Sequence, residues 1–126
     1  MHEENIEYEG VLCRRGRRRT TITIDELQQQ VRRLKTEKGF DVDLEQRLAY
    51  LMSEVGEVAG EVLKLSRNGN RDVGEMDPVE IEGVRENLGI EIYDVVWNLC
   101  DLADLAGVDL EGTFAKKAEL NEDREW

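Results

Sequence analysis

Two pairs of carboxylates stand out because each lies inside an otherwise apolar helical run. Glu54 and Glu57 occur in Ser-Glu-Val-Gly-Glu-Val-Ala-Gly-Glu, which ends in Glu61, and Glu91 and Asp94 occur in Glu-Ile-Tyr-Asp. An α-helix turns about 100° per residue, so positions i and i+3 share a side with Cβ atoms about 5–6 Å apart. Each pair therefore presents two carboxylates in one direction. Anions gathered in a partly buried groove repel one another, and desolvation adds to the cost. A divalent cation removes both penalties, and an oxygen-only ligand set selects hard ions, Mg²⁺ or Mn²⁺. One Glu-x-x-Glu carries little weight among 29 acidic residues, whereas two such pairs on neighbouring helices, with few lysines nearby, carry more. Taken singly, Glu61 reads as a solvated or salt-bridged surface residue.

The elements that must position these pairs are legible from caps and periodicity. Thr23 and Glu26 have capping-box spacing, and Leu27, Val31 and Leu34 follow on one helical face up to Gly39, with Phe40 folding back over the last turn. A second helix is predicted over about 43–66, with Leu44, Leu48, Leu51, Met52, Val55, Ala59, Val62 and Leu63 as its apolar stripe. Gly56 and Gly60, one turn apart, leave room for another backbone. Asn68-Gly69-Asn70 is a stop signal inside a polar loop over 67–77. Asp77-Pro78 opens a third helix that reaches about Ala106 through Val84, Leu88, Ile92, Val95, Val96, Leu99, Leu102 and Ala103. Gly107 ends it, and Asp109 caps a fourth helix through about Arg124, with Leu110, Phe114, Ala118 and Leu120 facing inward. The fold class is all-α, a bundle of about four helices. Apolar residues such as Val58, Val62, Leu65, Val95 and Leu99 cover more than one helical face, so the bundle is expected to be completed by self-association as a dimer or tetramer.

Composition bounds the rest. The 126 residues suit one domain, here 21–126, preceded by an extension over 1–20 with a strand-like piece near Tyr8–Leu12. A net charge of −12 argues against nucleic-acid or anionic-membrane binding. The arginines among residues 14–19 read as a solvated tail or as partners of acidic neighbours, ahead of a phosphate- or RNA-binding patch. No apolar run approaches the roughly 20 residues of a membrane span, and the acidic start is unlike a signal peptide, so the expected location is cytoplasmic. His2 is the single histidine, which excludes a zinc site of histidines and cysteines and leaves no internal base for a Ser or Cys triad. Cys100 reads as a buried thiol, while Cys13, beside arginines, is a candidate reactive one. No Gly-x-x-x-x-Gly-Lys-Ser/Thr sequence is present.

The run Leu51-Met52-Ser53-Glu54-Val55-Gly56-Glu57-Val58-Ala59 resembles the first motif of the MazG-like, all-α nucleoside triphosphate pyrophosphohydrolases. Glu91-Ile92-Tyr93-Asp94-Val95-Val96-Trp97-Asn98-Leu99 is similar to their second. Leu105-Ala106-Gly107-Val108-Asp109-Leu110, Lys117-Ala118-Glu119-Leu120-Asn121 and Arg124 extend the likeness, which covers roughly 23–125. The 33 residues between Glu57 and Glu91 are more than is usual for that family, and the excess falls in 67–90.

The resemblance implies an enzyme that hydrolyses a (deoxy)nucleoside triphosphate to the monophosphate and pyrophosphate, a clearing role for non-canonical nucleotides included. It implies Mg²⁺, with Mn²⁺ as substitute, on Glu54, Glu57, Glu91 and Asp94, and a base drawn from these glutamates or Glu61. Lys117 and Asn121, one turn apart, and Arg124 at i+7 are the implied contacts to triphosphate or sugar, Asn98 and Asn87 secondary ones. Trp97 reads as core or interface ahead of a base-stacking platform. Two other readings stay open. One is a phosphoribosyl-ATP pyrophosphatase or dUTPase-like member of the same superfamily. The other is a non-catalytic helical module for oligomerisation or regulation, whose carboxylates decorate a surface.

Overall fold

Four helices account for the domain: α1 (Ile24–Lys38), α2 (Leu44–Leu65), α3 (Pro78–Leu105) and α4 (Leu110–Glu122). The computed structural model describes the backbone of residues 5–8 and 11–14, and residues 21–66 and 76–125 in full. His2, the Cys13 side chain, the arginines among 14–19 and the loop 67–75 lie outside the described residues. In the extension, β1 (Asn5–Tyr8) and β2 (Val11–Arg14) pair antiparallel with Tyr8 opposite Val11. The expected strand-like piece at Tyr8–Leu12 is therefore corrected to parts of two paired antiparallel strands.

Caps fix the helix boundaries. Thr23 and Glu26 form the reciprocal capping box that their spacing predicts, and Asp43 and Gln46 form a second at α2. The Asp77 side chain accepts from the Val79 amide with Pro78 in the first turn, and the Asp109 side chain accepts from the Gly112 amide. Gly39 and Gly107 adopt φ of 67° and 70°, the left-handed conformation that ends α1 and follows α3 at little cost only for glycine.

The protomer core lies mainly where α2 runs antiparallel to α3, with α1 across α3 and α4 against α1. The α2 seam is not the apolar stripe expected from its sequence. The side chains it turns inward are Arg47, Leu51, Glu54, Val58, Glu61 and Leu65, spaced alternately by four and three residues. Of the expected stripe only Leu51 is buried; Leu48 and Met52 are 50% and 60% exposed, and Leu44, Val55, Val62 and Leu63 lie on the same open surface. The amphipathic pattern thus marks a second face of α2 that nothing among the described residues covers. Ile92 and Leu99 of α3 are likewise exposed, as are Phe114, Ala118 and Leu120 of α4, which was expected to turn them inward. A Cβ added at Gly56 or Gly60 meets nothing within 4 Å, so no backbone among the described residues uses the room they leave.

Charge holds the centre of this core. Asp101 is fully buried and lies 2.6 Å from Lys35 Nζ of α1 and 2.6 Å from Arg47 Nε of α2. These are ion pairs whose angles are poor for hydrogen bonding. Asp104, one turn on, pairs with Arg32 at 2.6 Å and with Lys35 at 3.7 Å. The Arg32 guanidinium is held above its ordinary pKa by its hydrogen bond to Asp104. Three helices are thereby joined through two carboxylates of α3.

Removing one member of a buried ion pair strands its partner's charge, at a cost of about 3–5 kcal/mol. Asp101→Asn is expected to lose stability of that order in urea unfolding. Glu82→Gln, which removes an exposed partner of Arg85 at 3.8 Å, should change it by less than about 1 kcal/mol. Equal midpoints for the two variants would refute a central role for Asp101.

Candidate metal centre

Two turns along the same seam from Arg47, the facing side chains become acidic without becoming paired. Glu54 and Glu57 come from α2, Glu91 and Asp94 from α3, brought together because the helices run antiparallel. Glu54, Glu57 and Glu91 each offer an oxygen, and these oxygens lie within 4.8 Å of one another. Glu57 is exposed at the rim; Glu54, Glu91 and Asp94 are half-buried. One carboxylate oxygen each of Glu54 and Glu91 is buried with no hydrogen-bond donor.

The electrostatics follow from this placement. Desolvation raises the Glu54 carboxyl above its ordinary value, with its hydrogen bond to Glu57 and the charges of Glu57 and Asp94 adding to it. For Glu91 the hydrogen bond to Glu57 leads, followed by desolvation and the charges of Glu57, Asp94 and Glu54. Every neighbouring charge that acts on these two groups is another carboxylate. Among the described residues the ion pairs involve Asp101, Asp104, Glu37, Glu61 and Glu82, and none of the four.

The contrast with Asp101 and Asp104 is informative. Both are i, i+3 acidic pairs on α3. One is met by Lys35, Arg32 and Arg47, while among the described residues the charged neighbours that act on Glu91 are all acids. Orphaned oxygens, mutual repulsion and an all-oxygen donor set fit a divalent hard cation, Mg²⁺ or Mn²⁺.

The other predicted residues are distributed as follows. Glu61 is on the seam one turn beyond Glu57; Lys64 holds one of its oxygens at 2.7 Å, and the other is buried without a donor. Asn98 is buried, its carbonyl oxygen accepting from Arg47 at 2.8 Å and its amide donating to the Asp94 main-chain oxygen at 2.7 Å. Its side chain is thus engaged within the protein and reaches the centre through Asp94. Asn87 is exposed on α3. Lys117 and Arg124 are exposed on and just beyond α4, whose main packing is against α1; the Asn121 side-chain oxygen is buried without a donor. Among the described residues, no contact ties Lys117 or Asn121 to the carboxylates.

Arg47 and Asp101 are the residues that sequence reasoning missed. A usable signal was present: Asp101 is seven residues beyond Asp94, two turns along one face in a run otherwise apolar. Trp97 is half-buried, with the Phe40 ring edge-on at 6.2 Å and the Arg47 guanidinium 5.1 Å from its centre. Cys100 is buried as expected, and burial pushes its thiol up.

The structure of iMazG from Vibrio DAT 722 is 32% identical to this chain, over 82% of this chain and 100% of that one, with a TM-score of 0.49. The chain belongs to the MazG-like family. Membership rests on that identity over the whole length of the relative. No family model matches the chain, and no curated protein is similar to it. Three of the four motif carboxylates, Glu54, Glu57 and Glu91, form the cluster described above, with Asp94 beside it. The stretch beyond Glu57 that lengthens the spacing to Glu91 includes the undescribed loop 67–75.

Glu54 and Glu91, with raised pKa values, bind protons more tightly in the native state than in the unfolded chain. Their contribution to stability is present below the ordinary glutamate value of 4.5 and is lost as pH rises through the raised values. The metal-free protein should therefore lose stability from this pair above pH 4.5, and Glu91→Gln should lose less over the same interval. Parallel stability–pH curves for the two would show the cluster to be unstrained.

Proposed function

We propose that this MazG-like chain is a Mg²⁺-dependent hydrolase that cleaves nucleoside triphosphates between the α and β phosphates, releasing the monophosphate and pyrophosphate. The supporting observation is the cluster of Glu54, Glu57 and Glu91 oxygens within 4.8 Å, with only carboxylates as charged neighbours. Mn²⁺ is the substitute ion. Bound by Glu54, Glu57, Glu91 and Asp94, Mg²⁺ supplies charge against phosphate oxygens and lowers the pKa of a water.

The protein's own groups do the rest. Glu57, exposed at the rim, is the cluster carboxylate most open to an arriving phosphate chain. Glu61, whose second oxygen is buried without a donor one turn beyond Glu57, accepts the proton of the attacking water. Lys117 and Arg124 supply charge for the departing pyrophosphate, and Asn121 supplies hydrogen bonds to the phosphate chain or sugar. A glycine-rich phosphate loop, the usual basis of attack at the γ-phosphate, is absent from the sequence.

Glu57→Gln and Asp94→Asn keep volume and remove ligand charge. Each should abolish Mg²⁺-dependent pyrophosphate release from a panel of canonical and modified nucleoside triphosphates, while the metal-free fold stays as stable or gains. In ¹⁸O water the label should appear in the monophosphate. Full activity in either variant, label in pyrophosphate, or orthophosphate as first product would overturn the assignment. Millimolar Mg²⁺ should raise the wild-type melting temperature, because the ion binds only the folded site; a non-catalytic helical module would show no such shift.

The open faces of α2 and α3 further support self-association. Leu48, Met52, Val55 and Val62 on α2, and Ile92 and Leu99 on α3, form apolar surface of the kind a second copy covers. Sedimentation at micromolar concentration should give a dimer or tetramer, and a monodisperse monomer would refute it.

A further inference from the structure

The seam holds a polar link that no part of the proposed chemistry uses. Arg47 reaches two acceptors on α3 at once: Nη1 donates to the Asn98 side-chain oxygen at 2.8 Å, and Nε lies 2.6 Å from Asp101. The Asn98 amide then donates back along its own helix to the Asp94 main-chain oxygen at 2.7 Å. All three linked residues, Arg47, Asn98 and Asp101, are buried. Arg47 lies seven residues before Glu54, and Asn98 four residues after Asp94, so the link sits about 10 Å from one acidic pair and about 6 Å from the other along their helices.

From this juxtaposition we infer that Arg47 and Asn98 are positioning residues for the carboxylate centre, setting the register of α2 against α3 and thereby the separation of the Glu54/Glu57 and Glu91/Asp94 pairs. The inference rests on the metal-binding reading above. The physical reason is that the carboxylates repel when ionised, so in that state the cluster does not itself hold the two helices at a ligand spacing before an ion arrives. Apolar contacts along the seam are compatible with small slides of one helix past the other. A guanidinium that hydrogen-bonds Asn98 through one nitrogen and ion-pairs with Asp101 through another is not, because its planar fork fixes both distances together. Asn98 ties that fork to Asp94 itself, since its amide shares the carbonyl at the turn carrying this ligand. The rings of Trp97 and Tyr50, 5.1 and 5.6 Å from the Arg47 guanidinium carbon, restrict the fork further.

The test is Mn²⁺ affinity of the full chain, measured by electron paramagnetic resonance or calorimetry without nucleotide. Asn98→Ala removes the link to Asp94. Arg47→Lys keeps a cation beside Asp101 while giving up the second bond, so it guards against simple unfolding. Each should weaken Mn²⁺ binding about tenfold or more, the range for partners that orient ligands, and the double variant should be no worse than the weaker single one. Val31→Ala, in the core between α1 and α3, is the control for general destabilisation, with melting temperatures recorded for all. If the wild type binds Mn²⁺ and Asn98→Ala binds as tightly as Val31→Ala, the positioning role is overturned while the metal reading stands. If the wild type binds no Mn²⁺, the metal reading falls and this inference falls with it.

Discussion

The fold depends on how charge is arranged along one antiparallel helix pair. Six side chains of α2 turn toward α3, and three of them, Arg47, Glu54 and Glu61, carry formal charge where a helix pair ordinarily places Leu or Val. At one end the charges are balanced from within: Asp101 and Asp104 meet Lys35, Arg32 and Arg47. Two turns away they are not, and Glu54 and Glu91 face only further carboxylates. The neutralised end offsets the repulsive one, because helices pinned at Asp101 cannot separate freely at Glu91. A buried ion pair is a weak source of net stability compared with apolar packing, but it fixes geometry well. A site whose ligands must wait apart from one another needs fixed geometry more than it needs added stability.

Much of this was legible in the sequence. The capping pairs Thr23/Glu26 and Asp77-Pro78, and the left-handed glycines 39 and 107, act locally, so their signals survive whatever the tertiary structure does. The carboxylate pairs were legible because helical spacing alone sets which side chains share a side. The orientation of α2 was not. Its most apolar stripe, through Leu48, Met52, Val55 and Val62, competes with a seam that shares only Leu51 with that stripe. Periodicity ranks faces by hydrophobicity, so it selects the stripe and passes over a seam built from Arg47, Glu54 and Glu61. Asp101 was missed for a related reason. Its burial depends on Lys35 and Arg47, far away in sequence, and no local pattern records a partner on another helix.

The open stripe and the acidic seam share the helix α2. One face places ligands toward α3; the other presents branched and long apolar side chains outward. Gly56 and Gly60 lie between them with open space where a Cβ would stand. Two-sided use of α2 would relate the proposed metal chemistry to the proposed self-association. Anything covering the stripe also restrains the helix that carries Glu54 and Glu57.

The net charge of −12 sharpens what the centre must do. The proposed substrate, a nucleoside triphosphate, would bring about four more negative charges, so the long-range field of the protein would oppose its approach. Recognition must then be local, confined to a few Å where a cation outweighs the surrounding acids, which the Debye length of about 8 Å at physiological salt permits. The two i, i+3 acidic pairs on α3 divide along this line. Asp101 and Asp104 have all the positive charge they need from within the chain. Glu91 and Asp94 are left with a deficit that water cannot fully relieve at Glu91, where one oxygen is already shut off from solvent. Under the proposed function, that deficit is what a metal would fill, and through the metal the centre would hold an anion which the rest of the molecule repels.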